Sequence, residues 1–270
     1  MATYTLINND FIPATEASVL VTDLALYRGY GIFDFFKTID SAPVFFEDHL
    51  DRFYNSAAEM RLPVDKSQDE LKAMIFELMK KNDIANSGIR ITLTGGYSPD
   101  GYAIAKPNMI ITQQPLTINN DVKGIKLITH SHQRQLPHVK TLDYLMAIWL
   151  QPKVAEKGVD DILYYSHGIV RETPRANFFI VTHNNEVITT ANNILKGIVR
   201  KNLLTIPGNG FTISERDITL DDLRQCKEAF ITSSTKNVLP VIEIDGRVIS
   251  GGAPGEVSVE LGWKLSEIHR

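Results

Sequence analysis

The chain of 270 residues has a single cysteine, Cys226, so no disulfide can form within it and its apolar core must hold the fold. No uncharged apolar run approaches the roughly 18 residues of a membrane span. The first ten residues lack the basic-then-apolar layout of a secretion signal, which predicts a cytoplasmic protein. An excess of positive charge is missing too: the net charge is −4, which argues against nucleic acid as the main partner. No zinc spacing is present, since His130-x-His132 has neither a thiol nor a third ligand nearby in sequence, and no metal is expected. The nucleophile elbow, the P-loop and the Gly-x-Gly-x-x-Gly fingerprint are all missing, which sets aside serine hydrolases, P-loop NTPases and ordinary dinucleotide enzymes. At 43% hydrophobic and 22% charged, the composition is that of a globular protein and not of a disordered one.

What is present is an interleaving of strand and helix patterns. Thr3 to Asn8 and Phe11 to Ala14 flank Asn8-Asn9-Asp10, and Ile32 to Ile39 and Pro43 to Phe46 flank Asp40-Ser41-Ala42; both read as hairpins. Leu50, Phe53, Tyr54 and Ala57 recur at helical spacing. Ser67 and Glu70 form a capping box that opens a second helix. Strands are predicted over 89–94 and 108–113. The polar stretch 115–124 is the candidate linker between an N-terminal domain, 1–114, and a C-terminal domain, 125–270. In the second half, helices are predicted over 144–157, 198–205, 220–225 and 256–268. A hairpin is predicted around Ser166-His167-Gly168. The many hairpins argue against a doubly wound parallel sheet and favour two α+β domains.

Several short segments carry chemistry-bearing residues in order: Glu47-Asp48-His49-Leu50-Asp51-Arg52, His138-Val139-Lys140-Thr141-Leu142-Asp143-Tyr144, and Val170-Arg171-Glu172-Thr173-Pro174-Arg175-Ala176-Asn177. Leu195-Lys196-Gly197-Ile198-Val199-Arg200 and Ile231-Thr232-Ser233-Ser234-Thr235 follow. Singly each is weak. In this order and spacing, over nearly the whole chain, they resemble the class IV (fold type IV) pyridoxal-phosphate aminotransferases. That group includes branched-chain aminotransferases, D-amino-acid aminotransferases and aminodeoxychorismate lyase. The resemblance implies a two-domain fold with pyridoxal 5'-phosphate in the interdomain cleft, and a homodimer whose loops near Arg28 and Tyr102 complete the partner's pocket.

The resemblance also implies roles. Lys140 matches the lysine that forms a Schiff base with the cofactor, and a partly buried amine is suited to that task. Glu172 matches the acid that pairs with the pyridinium nitrogen and keeps the ring an electron sink. Arg52 matches the arginine on the cofactor phosphate, for which a guanidinium fork is well shaped. Gly197, Ile198 and Val199 match the loop whose N–H groups meet the same phosphate at a helix start, and Ser234 matches a hydroxyl of that phosphate site. Tyr144 matches a tyrosine near the phenolic oxygen of the cofactor, and Asn177 a supporting residue.

For the substrate, Phe33 matches a pocket-lining aromatic, and Thr235 is placed beside it on the substrate side. Arg90 matches an arginine of branched-chain enzymes. The Ser-Pro-Arg-x-His turn of D-amino-acid aminotransferases reads Ser98-Pro99-Asp100-Gly101-Tyr102 here, an acid in place of the cation. Arg28 and Arg90 are the expected replacements for that carboxylate trap. Chain length, the Lys140-to-Glu172 spacing and the Leu195-Lys196-Gly197-Ile198 segment favour a D-amino acid donor, with 2-oxoglutarate or pyruvate as acceptor. A branched-chain L-amino acid donor and aminodeoxychorismate-type elimination remain open.

Overall fold

The structure, a computed structural model, describes residues 3–117, 123–208 and 210–268. The chain divides into two units: the described residues up to 117 together with Val139–Asp143, and residues 123–138 with 144–268.

The first unit runs β1 (Tyr4–Ile7), β2 (Asp10–Pro13), α1 (Leu24–Arg28), β3 (Gly31–Ile39), β4 (Ala42–Pro43), α2 (Phe46–Glu59), α3 (Gln68–Asn82), β5 (Ser87–Thr94) and β6 (Met109–Pro115). Its strands form a six-stranded sheet in the order β2-β1-β6-β5-β3-β4, with antiparallel pairings. The polar turns do what their residues allow: Asn8 and the pair Asp40 and Ser41 take left-handed backbone conformations. Alternation along β3 places Ile32 and Phe36 on the face that meets Leu50 and Phe53 of α2, with Ile89, Ile91 and Ile111 beside them. The expected capping box opens α3: Glu70 N–H donates to Ser67 Oγ, and Ser67 N–H donates to Glu70 Oε2 at 2.7 Å. The strand expected over 43–46 is shorter, because Phe45 is left-handed (φ 52°) and the chain turns directly into α2. Helix α1 is an addition to the expected elements; Asp23 caps it and Gly29 ends it at φ 67°.

The expected domain division needs one correction. Val139–Asp143 belongs with the first unit, not with the second half of the sequence. Backbone pairing is the reason: Ile32 pairs with Thr141, Phe33 N–H donates to Lys140 O at 3.0 Å, and Leu142 N–H donates to Gly31 O at 3.0 Å. The start of the expected linker is also structured, since Pro115 ends β6 and Leu116 N–H donates to Asn86 O. Residues 118–122 of that linker lie outside the described residues.

The second unit contains β7 (Ile125–Ser131), α4 (Leu145–Trp149), α5 (Gln151–Lys157), β8 (Asp161–Ser166), β9 (Ile169–Val170), β10 (Glu172–Thr173), β11 (Ala176–Val181) and β12 (Glu186–Thr189). It continues with α6 (Ile198–Leu203), β13 (Thr212–Glu215), β14 (Ile218–Thr219), α7 (Leu220–Gln225), β15 (Glu228–Ser233), β16 (Asn237–Ile244), β17 (Arg247–Val248) and α8 (Glu256–Ile268). Its eleven-stranded sheet follows the path β13-β12-β11-β15-β16-β7-β8-β9-β14, with β10 on β11 and β17 on β16. Most pairs are antiparallel; β12–β13, β16–β7 and β7–β8 are parallel. The single helix expected over 144–157 is two, because Pro152 sits in the first turn of a new one and has no N–H to continue the old. His167 (φ 52°) and Gly168 (φ 76°) form the expected tight turn between β8 and β9.

Among the described residues, no helix is long and apolar enough to cross a membrane, and no group of three or more His, Cys, Asp or Glu could hold a metal ion. Cys226 is buried, donates to Leu223 O, and has its thiol pushed up to about 11 by that burial.

Candidate active site

In the first unit the expected residues gather around β3. Lys140 is half-buried, and its Nζ lies 4.5 Å from the centre of the Phe33 ring. The Arg90 guanidinium stands 3.8 Å from the centre of the same ring, and its Nε donates to Thr92 Oγ1 at 3.3 Å. Phe33 therefore has both the expected nucleophile and the expected substrate cation against it. Backbone pairing explains the placement: Lys140 lies beside β3 on the edge opposite β5, which carries Arg90.

Arg52 lies on α2, three residues after His49, so both project from one helix face. That face meets Asp34, which is fully buried on the core side of β3. Arg52 binds it with two nitrogens, Nε to Oδ2 at 2.8 Å and Nη2 to Oδ1 at 2.9 Å. His49 Nδ1 is 2.6 Å from Oδ1, and Phe35 N–H donates to the same oxygen. Burial alone would raise the Asp34 pKa, but the charge of Arg52 and the bonds from His49 and Arg52 hold it well below the usual carboxylate range. An ionised Asp34 has no proton to give, so His49 donates through Nδ1–H. Burial pushes the His49 pKa down, which Asp34 only partly opposes, and the charges of Arg52 and Lys140 push it the same way as burial.

In the second unit Glu172 and Asn177 face each other across the β10–β11 pair. Glu172 is buried; its Oε1 accepts from Arg134 Nε at 2.9 Å and its Oε2 from Leu195 N–H at 3.0 Å. Arg134 Nη2 also donates to Pro137 O at 2.6 Å. Asn177 donates through Nδ2 to Leu195 O at 2.6 Å and accepts from Gly197 N–H at 3.1 Å. The expected acid and its supporting residue thus clamp one loop. A side chain at position 197 would meet Asn177 Oδ1 at 2.2 Å, so glycine is required there by close approach. Gly197 is the N-cap of α6 and offers no capping side chain, so the first-turn N–H groups at Ile198 and Val199 are not capped from within the helix. Ser234 is half-buried in the turn between β15 and β16, Thr235 is exposed beside it, and Tyr144 is half-buried at the N-cap of α4.

Among the described residues, Arg28 is set apart from the Phe33 ring that Arg90 and Lys140 meet. It is exposed at the end of α1, where its Nη1 donates to the neighbouring Tyr27 O. Asp100, which stands in place of a cation, closes its own loop by accepting from Ser98 Oγ and from the N–H groups of Tyr102 and Ala103.

Sequence reasoning leaves four site-adjacent residues without a role: Asp34, His49, Arg134 and Lys37. Asp34 has a signal, an acid at a core-facing position of β3 between Ile32 and Phe36. Lys37 has another, a lysine in alternation with Phe33 and Phe35; it is buried, and burial pushes it down to about 8. Arg134 lies in a loop with no local pattern to single it out.

The family profile described as Amino-transferase class IV matches residues 31–244, and the chain belongs to that family. It is therefore a pyridoxal-phosphate-dependent aminotransferase, acting on an amino acid and a 2-oxo acid. A Methanocaldococcus jannaschii protein provisionally named a branched-chain-amino-acid aminotransferase is 30% identical, over 97% of this chain and 95% of its own. A D-alanine aminotransferase from Bacillus licheniformis is 28% identical, over 94% and 92%. The T.th. branched-chain amino acid aminotransferase complexed with N-(5'-phosphopyridoxyl)-L-glutamate has the same fold, with a TM-score of 0.90 and 25% identity over 99% of this chain and 94% of its own.

The residues present fit the cofactor. The first unit has an amine against an aromatic ring and an arginine with guanidinium N–H groups to spare. The second has a buried carboxylate ion-paired with an arginine, and a helix start at Gly197 that Asn177 anchors where a Cβ would collide, with the first-turn N–H groups at Ile198 and Val199 beyond it.

Proposed function

We propose that the chain moves the amino group of a D-amino acid to a 2-oxo acid such as 2-oxoglutarate or pyruvate. The observation that carries transamination, for a donor of either chirality, is the grouping of Lys140 and Arg90 on the Phe33 ring: an amine for chemistry and a cation for a carboxylate, held against one aromatic surface. The choice of a D-amino acid rests on the Lys140-to-Glu172 spacing, the Leu195–Ile198 segment and the D-alanine aminotransferase relative. Asp100 is spent on its own loop, so the carboxylate needs a cation from elsewhere, and Arg90 with Arg28 supplies it. Lys140 anchors the cofactor through Nζ and then moves a proton to and from the substrate Cα. Bound pyridoxal phosphate supplies the electron sink that makes this proton labile. Glu172, which accepts from Arg134 Nε, pairs with the ring nitrogen. Arg52, Ile198, Val199 and Ser234 take the phosphate, with Gly197, its own N–H held by Asn177, letting the helix start approach it; Tyr144 takes the phenolic oxygen, and Phe33 and Thr235 line the substrate side.

Arg28 serves in this reading as part of a homodimer, reaching the partner's site together with the Tyr102 loop. Supporting it is the exposed apolar surface around α1: Val21 (68% exposed), Leu26 (65%) and Tyr102 (85%). The compartment proposed is the cytoplasm, consistent with one buried, unpaired cysteine.

A second reading, a branched-chain L-amino-acid aminotransferase, is favoured by the place of Arg90 in β5 and by the Methanocaldococcus relative. One screen decides between them. The enzyme is mixed in turn with D-alanine, D-glutamate, L-leucine and L-glutamate, and amination of the cofactor is followed by its visible absorbance. Response to the D-amino acids is expected; response to L-leucine alone would sink the leading reading. Release of pyruvate from aminodeoxychorismate would point instead to elimination. Arg90→Ile is expected to raise the Michaelis constants for amino donor and keto acid, and unchanged constants would remove Arg90 from the site.

A further inference from the structure

Asp34 sits where strand alternation calls for an apolar residue, on the core face of β3 between Ile32 and Phe36. A buried carboxylate there is unfavourable unless every lone pair is used. Here four donors converge on it: Arg52 Nε and Nη2, His49 Nδ1 and the Phe35 N–H. A leucine would fill the same space with no need of partners, so packing alone does not call for the acid.

The geometry of the guanidinium says what the acid does. Asp34 occupies the edge of the fork formed by Nε and Nη2, which fixes the plane of the group and its rotation. The two N–H groups of Nη1 and the second of Nη2 then point away from Asp34, on the outer edge of the group, where a second oxyanion can meet them. His49, three residues earlier on the same helix face, holds the same oxygen, Asp34 Oδ1, beside Arg52 Nη2, with its Nδ1 3.3 Å from that nitrogen. A long arginine side chain is otherwise free to rotate, and ordering it on binding would weaken its hold on any anion it met.

We propose that Asp34 and His49 are positioning residues that pre-set Arg52 to receive the phosphate of the cofactor. The inference rests on the reading that Arg52 takes that phosphate. Asp34 orients the fork and balances its charge while the phosphate is absent; His49 keeps Asp34 in place.

The test separates phosphate recognition from folding. The full chain, stripped of cofactor, is titrated with pyridoxal 5'-phosphate and with pyridoxal, and the preference for the phosphorylated form, the ratio of the two affinities, is read for each variant. Arg52→Gln is expected to lower the ratio about a hundredfold, as loss of a charge-assisted bidentate contact would. Asp34→Asn is expected to lower it about tenfold and His49→Gln about threefold, with pyridoxal affinity nearly unchanged. Asp34→Glu, which keeps the charge, is expected to restore part of the Asp34→Asn loss. If Arg52→Gln collapses the ratio while the Asp34 and His49 variants leave it intact, or if they weaken both ligands equally, the positioning role is overturned. If Arg52→Gln itself leaves the ratio unchanged, Arg52 does not hold the phosphate, and the inference falls with that reading. Should Asp34→Asn fail to fold, Asp34→Glu and His49→Gln decide the matter alone.

Discussion

Asp34 in the first unit and Glu172 in the second are both buried acids beside an arginine, yet they are held by different means. Asp34 is gripped mainly by side chains, two nitrogens of Arg52 and one of His49, delivered by a regular helix onto a regular strand. Glu172 accepts from the Arg134 side chain and from the Leu195 backbone N–H, and its cross-strand partner Asn177 ties down the same loop. The first arrangement neutralises charge inside a core. The second uses an acid to fold a loop. Removing a partner should therefore hurt the first unit through unpaired charge and the second through loss of loop order.

Five experiments press on this contrast. Lys140→Ala should lower transamination by at least about a thousandfold, because both the anchoring amine and the proton carrier are lost. Steady-state rates and loss of the visible absorbance of the lysine-linked cofactor check it. Asp34→Leu should destabilise folding by about 3–5 kcal/mol, since Arg52 is left largely buried without its carboxylate, whereas the double variant with Arg52→Leu should recover most of that. Denaturant unfolding measures both; equal losses in the two would refute the charge-based account. The sign with pH follows from the depressed Asp34 pKa. Its contribution is fully present above the ordinary carboxylate range and is lost as pH falls through that range toward the folded value, so Asp34→Asn should flatten the acid limb of stability.

Asn177→Ala should cost about 1–3 kcal/mol by releasing two bonds to the Leu195–Gly197 loop. Hydrogen exchange should rise in that loop and not around Asp34; a rise in both would erase the distinction between the units. The smallest effect belongs to Ser67→Ala, which removes the α3 capping box away from either acid in the chain and should cost about 1 kcal/mol. Thermal unfolding checks it, with transamination kinetics unchanged.

Much of the fold was legible because its signals are local. The turn residues Asn8, Asp40 and Gly168, the capping box at Ser67 and Glu70, and the apolar stripe of α2 each act within a few residues. The misplaced features have non-local causes. Val139–Asp143 pairs with β3 more than about a hundred residues away in sequence, and no composition change marks that return. Pro152 gives a local warning of the break between α4 and α5 that the apolar pattern of 144–157 obscures. In the candidate site, Lys140, Glu172, Arg52 and Gly197 stand out by their spacing within motifs. Asp34 and His49 lie inside or beside those motifs but have no role until β3 and α2 are seen to face each other, and Arg134 has no local signature.

From its sequence alone this chain could be placed in its family, with pyridoxal phosphate as cofactor and Lys140, rather than the lone cysteine, proposed as the nucleophile. Those conclusions depend on residue type and order, which the chain carries wherever it folds. Tertiary structure alone decided that Arg90 and Lys140 share the Phe33 ring, that Asp34 meets the Arg52 fork, and that Glu172 and Asn177 clamp one loop. Each joins side chains from different elements, and only backbone pairing and core packing bring such groups within hydrogen-bonding or van der Waals reach.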